Sequence, residues 1–191
     1  MHARAIALLG LLVSAVLLLL APLAVPSDYS WVPHTLSEAA AQGVPGAWVA
    51  RLGLALFGVA VLVLARRLSV WGVAGRWLHG LFGLCLVASA VFPSRSWVDV
   101  APFNATLDTL HSIAATAMGF AFAIGVVCVA VSRRRVRVLD GLVVAASVAL
   151  PLTMLAQQDA AGLWQRAMFG LAYAWFATEA FDVGVSRDRS R

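Results

Sequence analysis

Residues 5–25 read AIALLGLLVSAVLLLLAPLAV, a run with no charged side chain directly after Arg4. The hydrocarbon core of a bilayer is ~30 Å thick and a helix rises ~1.5 Å per residue, so ~20 apolar residues cross it. The run has that length. It is longer than the apolar part of a secretory leader, and Pro22 and Leu23 interrupt Ala21 and Ala24, where a small-x-small cleavage site would fall. It is read as an uncleaved first span.

Working outward, five more apolar runs follow at 48–65, 71–92, 107–131, 138–156 and 163–183, each bounded by Pro, Gly, Trp or Arg. The composition agrees with them: 62% of residues are hydrophobic, 12% are charged and the mean hydropathy is +0.89, values a water-soluble domain of this size does not tolerate. The expected fold is therefore all-α, a six-helix integral membrane bundle forming one domain over residues 1–191.

All basic residues are Arg, and they stand at the ends of the apolar runs. Arg4, Arg66, Arg67, Arg76, Arg133, Arg134, Arg135, Arg137, Arg187, Arg189 and Arg191 fall on one side of the predicted topology. Arg51, Arg95 and Arg166 fall on the other, together with Asp28, Glu38, Asp99, Asp108 and Asp159. Cytoplasmic loops carry the excess of basic residues, so both chain ends are expected inside the cell, in a multi-pass plasma-membrane protein. Charge placed this way sets orientation. It is not the water-exposed stripe that tracks phosphates, and no nucleic-acid partner is expected. Trp31, Trp48, Trp97 and Trp164 lie near the outer boundary, where indoles settle at headgroup level.

Pro151 inside the fifth run is expected to bend that helix and release a carbonyl. Ala115-x-x-x-Gly119 has the spacing of a small-residue helix contact. Cys85 and Cys128 lie singly within apolar runs and read as core residues. No metal site and no cofactor is expected, since Gly-rich phosphate loops, serine elbows and paired metal-ligand histidines are all missing from the sequence.

Candidate chemistry gathers on the outer side. In His34-Thr-Leu-Ser-Glu38, Thr35 and Glu38 have the spacing of a capping box, which predicts a short helix running to Gln42 and stopping at Gly43. The same stretch also reads as His34, Ser37 and Glu38 projecting into an outer cavity. Asp108 and His111, one helical turn apart, suit general-base work or cation holding, because a carboxylate fixes an imidazole tautomer; Asp108 is equally explained by the helix dipole. Gln165 and Arg166 open the last run, and Arg166 calls for a carboxylate from Glu38, Asp108 or Asp159. Deeper in the membrane, Glu179 is expected to meet Arg76 or His79, or else to reach the inner interface beside Asp182. Asn104-Ala-Thr106 fits a glycosylation sequon close to the membrane surface.

His34-Thr-Leu-Ser-Glu38 followed by Gln42-Gly43 and by Gly46-Ala-Trp-Val-Ala-Arg-Leu-Gly-Leu54, then Phe92-Pro93, Leu110-His111 and Gly162-Leu-Trp-Gln-Arg166 ahead of Glu179, resembles the bacterial and archaeal membrane family called domain of unknown function 998. That likeness covers nearly the whole chain. It implies six helices and no assigned reaction, and it extends distantly to the FGF-receptor-activating and DRAM-like membrane proteins, which implies a bias toward lipid. The function expected is an outer-facing pocket of His34, Ser37, Glu38, Asp108, His111, Gln165 and Arg166 for a lipid headgroup or small polar ligand. Alternatives are a membrane-embedded hydrolase using Asp108 and His111, or an accessory subunit of a membrane complex. Partners are membrane lipids and either a second copy or a complex subunit.

Overall fold

The computed structural model describes the backbone of residues 2–98 and 102–188 and the side chains of residues 3–98 and 102–181. Asp99, Arg189 and Arg191, and the side chains of Asp182 and Arg187, lie outside the described residues. Those described are helical, with no strand among them. The elements are α1 (His2–Ala24), α2 (Leu36–Ala39), α3 (Trp48–Arg67), a 3-10 turn (Ser69–Trp71), α4 (Gly72–Val91), α5 (Ala105–Arg133), α6 (Val138–Ala156), a second 3-10 turn (Gln158–Ala160) and α7 (Ala161–Asp188).

Five of these, α1, α3, α4 with its leading turn, α5 and α6, are long and apolar enough to cross a membrane. α7 is long, but Gln165, Arg166, Tyr173, Trp175 and Glu179 interrupt it, and each bonds to another part of the bundle. Its polar residues face protein, which is where a bilayer tolerates them.

α1 packs on α3, α3 on α4 and α4 on α5, while α6 leans mainly on α7. Small residues make the close crossings. A Cβ on Gly58 would come within 2.5 Å of the Gly83 carbonyl oxygen, and one on Gly83 within 2.7 Å of that of Gly58, so α3 and α4 touch backbone to backbone. Phe57 occupies the centre of the core, stacked on Tyr173 with centroids 4.0 Å apart and edge-on to Phe82 and Phe176. The Ser14 hydroxyl donates to the Gly53 carbonyl at 2.6 Å and shares a 2.5 Å bond with the Tyr173 hydroxyl, tying α1, α3 and α7 deep inside. In hydrocarbon such groups have no water to turn to, so pairing them is obligatory.

Alternating helices bring two sets of ends together. One, the arginine end, carries Arg66, Arg67, Arg76 and Arg133 to Arg137. The other, the lid end, carries α2 and the longer connections. α6 is the least integrated helix: only Asp140 and Val143, both near the arginine end, are buried on it.

Candidate functional site

The capping box forms as the sequence predicts. Thr35 Oγ1 accepts from the Glu38 amide at 3.2 Å, and Glu38 Oε2 accepts from the Thr35 amide at 2.6 Å and from the Thr35 hydroxyl at 2.8 Å. The helix it starts is shorter than expected, ending at Ala39 instead of Gln42. Neighbouring elements take over the backbone that would have continued it. The Gln42 amide donates to Ser94 O, and the Arg51 guanidinium donates to the carbonyls of Ala40 (2.8 Å) and Ala41 (2.6 Å). Gly43 still turns the chain with φ 69°.

Around this short lid five of the seven predicted outer residues form two groups, while Glu38 stays in the capping box and Asp108 binds the Arg95 amide. Ser37, His111 and Gln165 meet: His111 Nε2 lies 3.1 Å from Ser37 Oγ, Gln165 Oε1 accepts from the Leu36 amide at 2.6 Å, and Gln165 Nε2 reaches Ser37 Oγ at 3.4 Å. His111 Nδ1 lies 2.9 Å from the Phe92 carbonyl and 3.2 Å from that of Ser89, two acceptors that require Nδ1 to carry a proton and donate, while Nε2 faces the Ser37 hydroxyl. His34 and Arg166 meet differently. Arg166 Nη1 donates to the carbonyls of Trp31, His34 and Gly162 at 2.8–2.9 Å, and Nη2 donates to Tyr29 Oη at 2.5 Å. Burial pushes the Tyr29 hydroxyl above the usual phenol range, and the Arg166 charge opposes that rise.

Two sequence expectations are corrected here. Arg166 takes carbonyl and phenol oxygens in place of a carboxylate, because the loop at 31–34 folds onto α7 and leaves its carbonyls pointing at the guanidinium; Gly162 and Leu163 donate to Pro33 O and Val32 O in the same contact. A Cβ on Gly162 would overlap the His34 carbonyl, so the glycine permits this docking. Asp108 and His111 do not pair. Asp108 Oδ1 accepts from the Arg95 amide at 2.8 Å, while the His111 ring turns inward to Ser37, so no carboxylate orients the imidazole. His34 stacks on Trp97 at 5.2 Å and its Nδ1 accepts from the Ser30 amide. Asn104 of the sequon uses its side-chain oxygen to cap α5. No cluster of metal-ligating side chains occurs among the described residues.

The arginine end holds a network the sequence reading did not assemble. Glu179 Oε1 accepts from Arg133 Nη1 at 2.5 Å and from Arg137 Nη2, and its Oε2 accepts from the Trp71 indole N–H at 2.6 Å. Asp140 Oδ1 accepts from the Trp175 indole at 2.9 Å and from Arg137 Nη2 at 3.1 Å. Its Oδ2 accepts from Arg133 Nη2 and the Arg137 amide, both at 2.8 Å. Two guanidiniums and two carboxylates thus form a closed ring joining α5, α6, α7 and the turn at Trp71. Asp140 and Glu179 are 2% and 1% exposed, and every carboxylate oxygen has partners, which is the condition for tolerating buried charge.

The expected partners of Glu179 are engaged elsewhere. Arg76 donates to the carbonyls of Ala65 and Arg66, and His79 packs between the Trp71 and Trp175 rings at 4.7 Å from each, with neither ring nitrogen hydrogen-bonded. Trp71, Arg133, Arg137, Asp140 and Trp175 are the residues sequence reasoning missed. The available signal was the Arg137-x-x-Asp140 spacing at a helix start, with Arg133 closing the preceding helix.

Between α5, α6 and α7 lies a crevice of about 670 Å³. Its walls include Ala115, Gly119 and Ala123 on α5, Ala146, Val148 and Met154 on α6, and Met168 and Phe169 on α7, with Phe57, Phe82 and Phe122 at the back and Gln158 and Gln165 toward the lid. The small residues predicted to bring helices together line an opening instead. α6 is tied to α5 by the charge ring at one end, and farther along the crevice opens between them.

A sequence model of the family described as "Protein of unknown function (DUF998)" matches residues 7–182. The chain belongs to this family. The matched region takes in the residues of the lid, the crevice and the charge ring. No curated protein and no solved structure matches the chain, and the more distant likeness to FGF-receptor-activating and DRAM-like proteins stands without support from these comparisons.

Proposed function

We propose that this DUF998 protein is a six-span plasma-membrane protein, with both ends cytoplasmic, whose crevice between α5, α6 and α7 receives the apolar part of a membrane lipid. One observation carries the reading: an apolar crevice of about 670 Å³ opens along membrane-length helices and has amide side chains only toward the lid end. Ligand sites combine apolar walls with a few convergent polar groups, and this crevice has that composition. The segregation of Arg supports the orientation, and the interhelix bonding of the α7 polar residues supports a sixth span.

Within this reading the outer polar residues divide their work. Gln165 lies at the crevice wall, Ser37 and His111 fix it from behind, and His34, Glu38, Asp108 and Arg166 hold the lid and its loops in place. The membrane lipid is the partner, and no reaction is assigned.

Gly119 provides the test, because it lines the crevice and a Cβ there meets nothing within 4 Å, so a substituted side chain starts out in open space. Gly119→Phe should leave the unfolding temperature near that of the parent while lipid retained through purification, read by native mass spectrometry, falls severalfold. Unchanged lipid retention in a folded Gly119→Phe protein would contradict the proposal.

A further inference from the structure

The crevice has a second property that narrows its occupant. None of its lining residues carries a formal charge; the polar ones are Thr116, Ser147, Gln158 and Gln165. Charges close by are already engaged. Arg166, next to Gln165, is bound to three carbonyls and the Tyr29 hydroxyl, and at the other end Arg133 and Arg137 are bound to Asp140 and Glu179. A phosphate drawn into this crevice would meet no free cation, and burying an unpaired charge in such surroundings is heavily disfavoured.

The neutral groups have bonding capacity left. Gln165 Oε1 accepts the short bond from Leu36, but its NH₂ group, with two protons, makes only the 3.4 Å contact with Ser37, so it can donate to an oxygen in the crevice. The Ser147 hydroxyl donates to the Val143 carbonyl one turn back, which leaves its oxygen able to accept. A hydroxyl can use both the donor and the acceptor, and an ester carbonyl can take the bond from Gln165. Val143 and Leu155, both lining residues of α6, are twelve positions apart, a length of about 18 Å at helical rise, which exceeds the roughly 15 Å of one leaflet and leaves room for a long chain.

Building on the crevice reading above, we infer that the occupant is an uncharged lipid whose polar end is a hydroxyl or ester carbonyl, the diacylglycerol class being its simplest membrane member. Lipids with a phosphate headgroup are discriminated against because the site offers hydrogen bonds and no countercharge.

The test uses the full chain, delipidated in detergent and then offered equimolar dioleoylglycerol and dioleoylphosphatidylglycerol, with bound lipid read by native mass spectrometry. Gly119→Phe on one wall and Ala146→Phe on the other serve as independent blocks, so that misfolding of one leaves the other informative. Dioleoylglycerol retained at least tenfold over the phospholipid, and lost in either folded variant, is the expected result. If both lipids bind equally and both variants abolish binding, the selectivity is overturned while the crevice reading stands. Should binding of both persist in both variants, the lipid sits elsewhere and the crevice reading itself fails.

Discussion

At the lid end most side-chain bonds finish on backbone groups of a loop, whereas the network of Arg133, Arg137, Asp140 and Glu179 at the arginine end is built mainly from side chains bonded to side chains. Arg166 and Arg51 hold carbonyls of residues 31–41, and removing either would release a loop. Arg133 and Arg137 hold the two carboxylates, and removing any member leaves buried charge uncompensated. The same residue type therefore shapes a surface at one end and locks helices at the other. α6 connects the two regimes, since its one buried charged residue, Asp140, belongs to the ring.

The largest expected effect comes from opening the ring. Glu179→Ala should lower the unfolding free energy by about 3–5 kcal/mol, the loss typical when one partner of a buried ion pair is removed. Combined with Asp140→Ala, the loss should fall well short of the sum, because both changes disrupt the same two guanidiniums. Reversible unfolding in detergent measures both, and additive losses would show that the four residues do not act as a unit.

Arg166→Ala should cost less, about 2 kcal/mol, and its effect should be local: hydrogen exchange rises across residues 29–42 while the helices near Glu179 keep their protection. Global loosening would erase the contrast between the two ends. Thr35→Ala removes one cap and should cost about 1 kcal/mol, with faster exchange confined to α2. His79→Leu should change stability least, within about 1 kcal/mol, because the lost ring packing is offset by removing buried ring nitrogens that make no hydrogen bond of good geometry. A loss of several kcal/mol there would mean that the imidazole has a partner in the membrane.

The parts of the molecule that depend on nearby residues were legible in the sequence. Helices α1 and α3 to α6 follow from apolar runs of membrane length, and the box at Thr35 and Glu38 follows from a three-residue spacing. What depends on distant contacts was not. Glu179 finds Arg133 and Arg137, more than forty positions away, and those arginines read equally well as topology markers, since the positive-inside rule accounts for Arg at helix ends without reference to a partner. Charge pairing is the usual answer for a buried guanidinium, so the sequence suggests a carboxylate for Arg166, yet loop carbonyls and the Tyr29 hydroxyl engage its two terminal nitrogens instead. Ala115 and Gly119 look the same in sequence whether they press against a helix or border an opening, and only the position of α6 decides between them.

That position is also where the account is most directly tested. An experimental structure of the full chain in lipid nanodiscs should show α6 fastened through Asp140 to Arg133 and Trp175, with elongated lipid density between Gly119 and Ala146 ending near Gln165. Finding α6 closed against α5 along its length, with Ala146 in contact with Gly119 and no space between them, would contradict it.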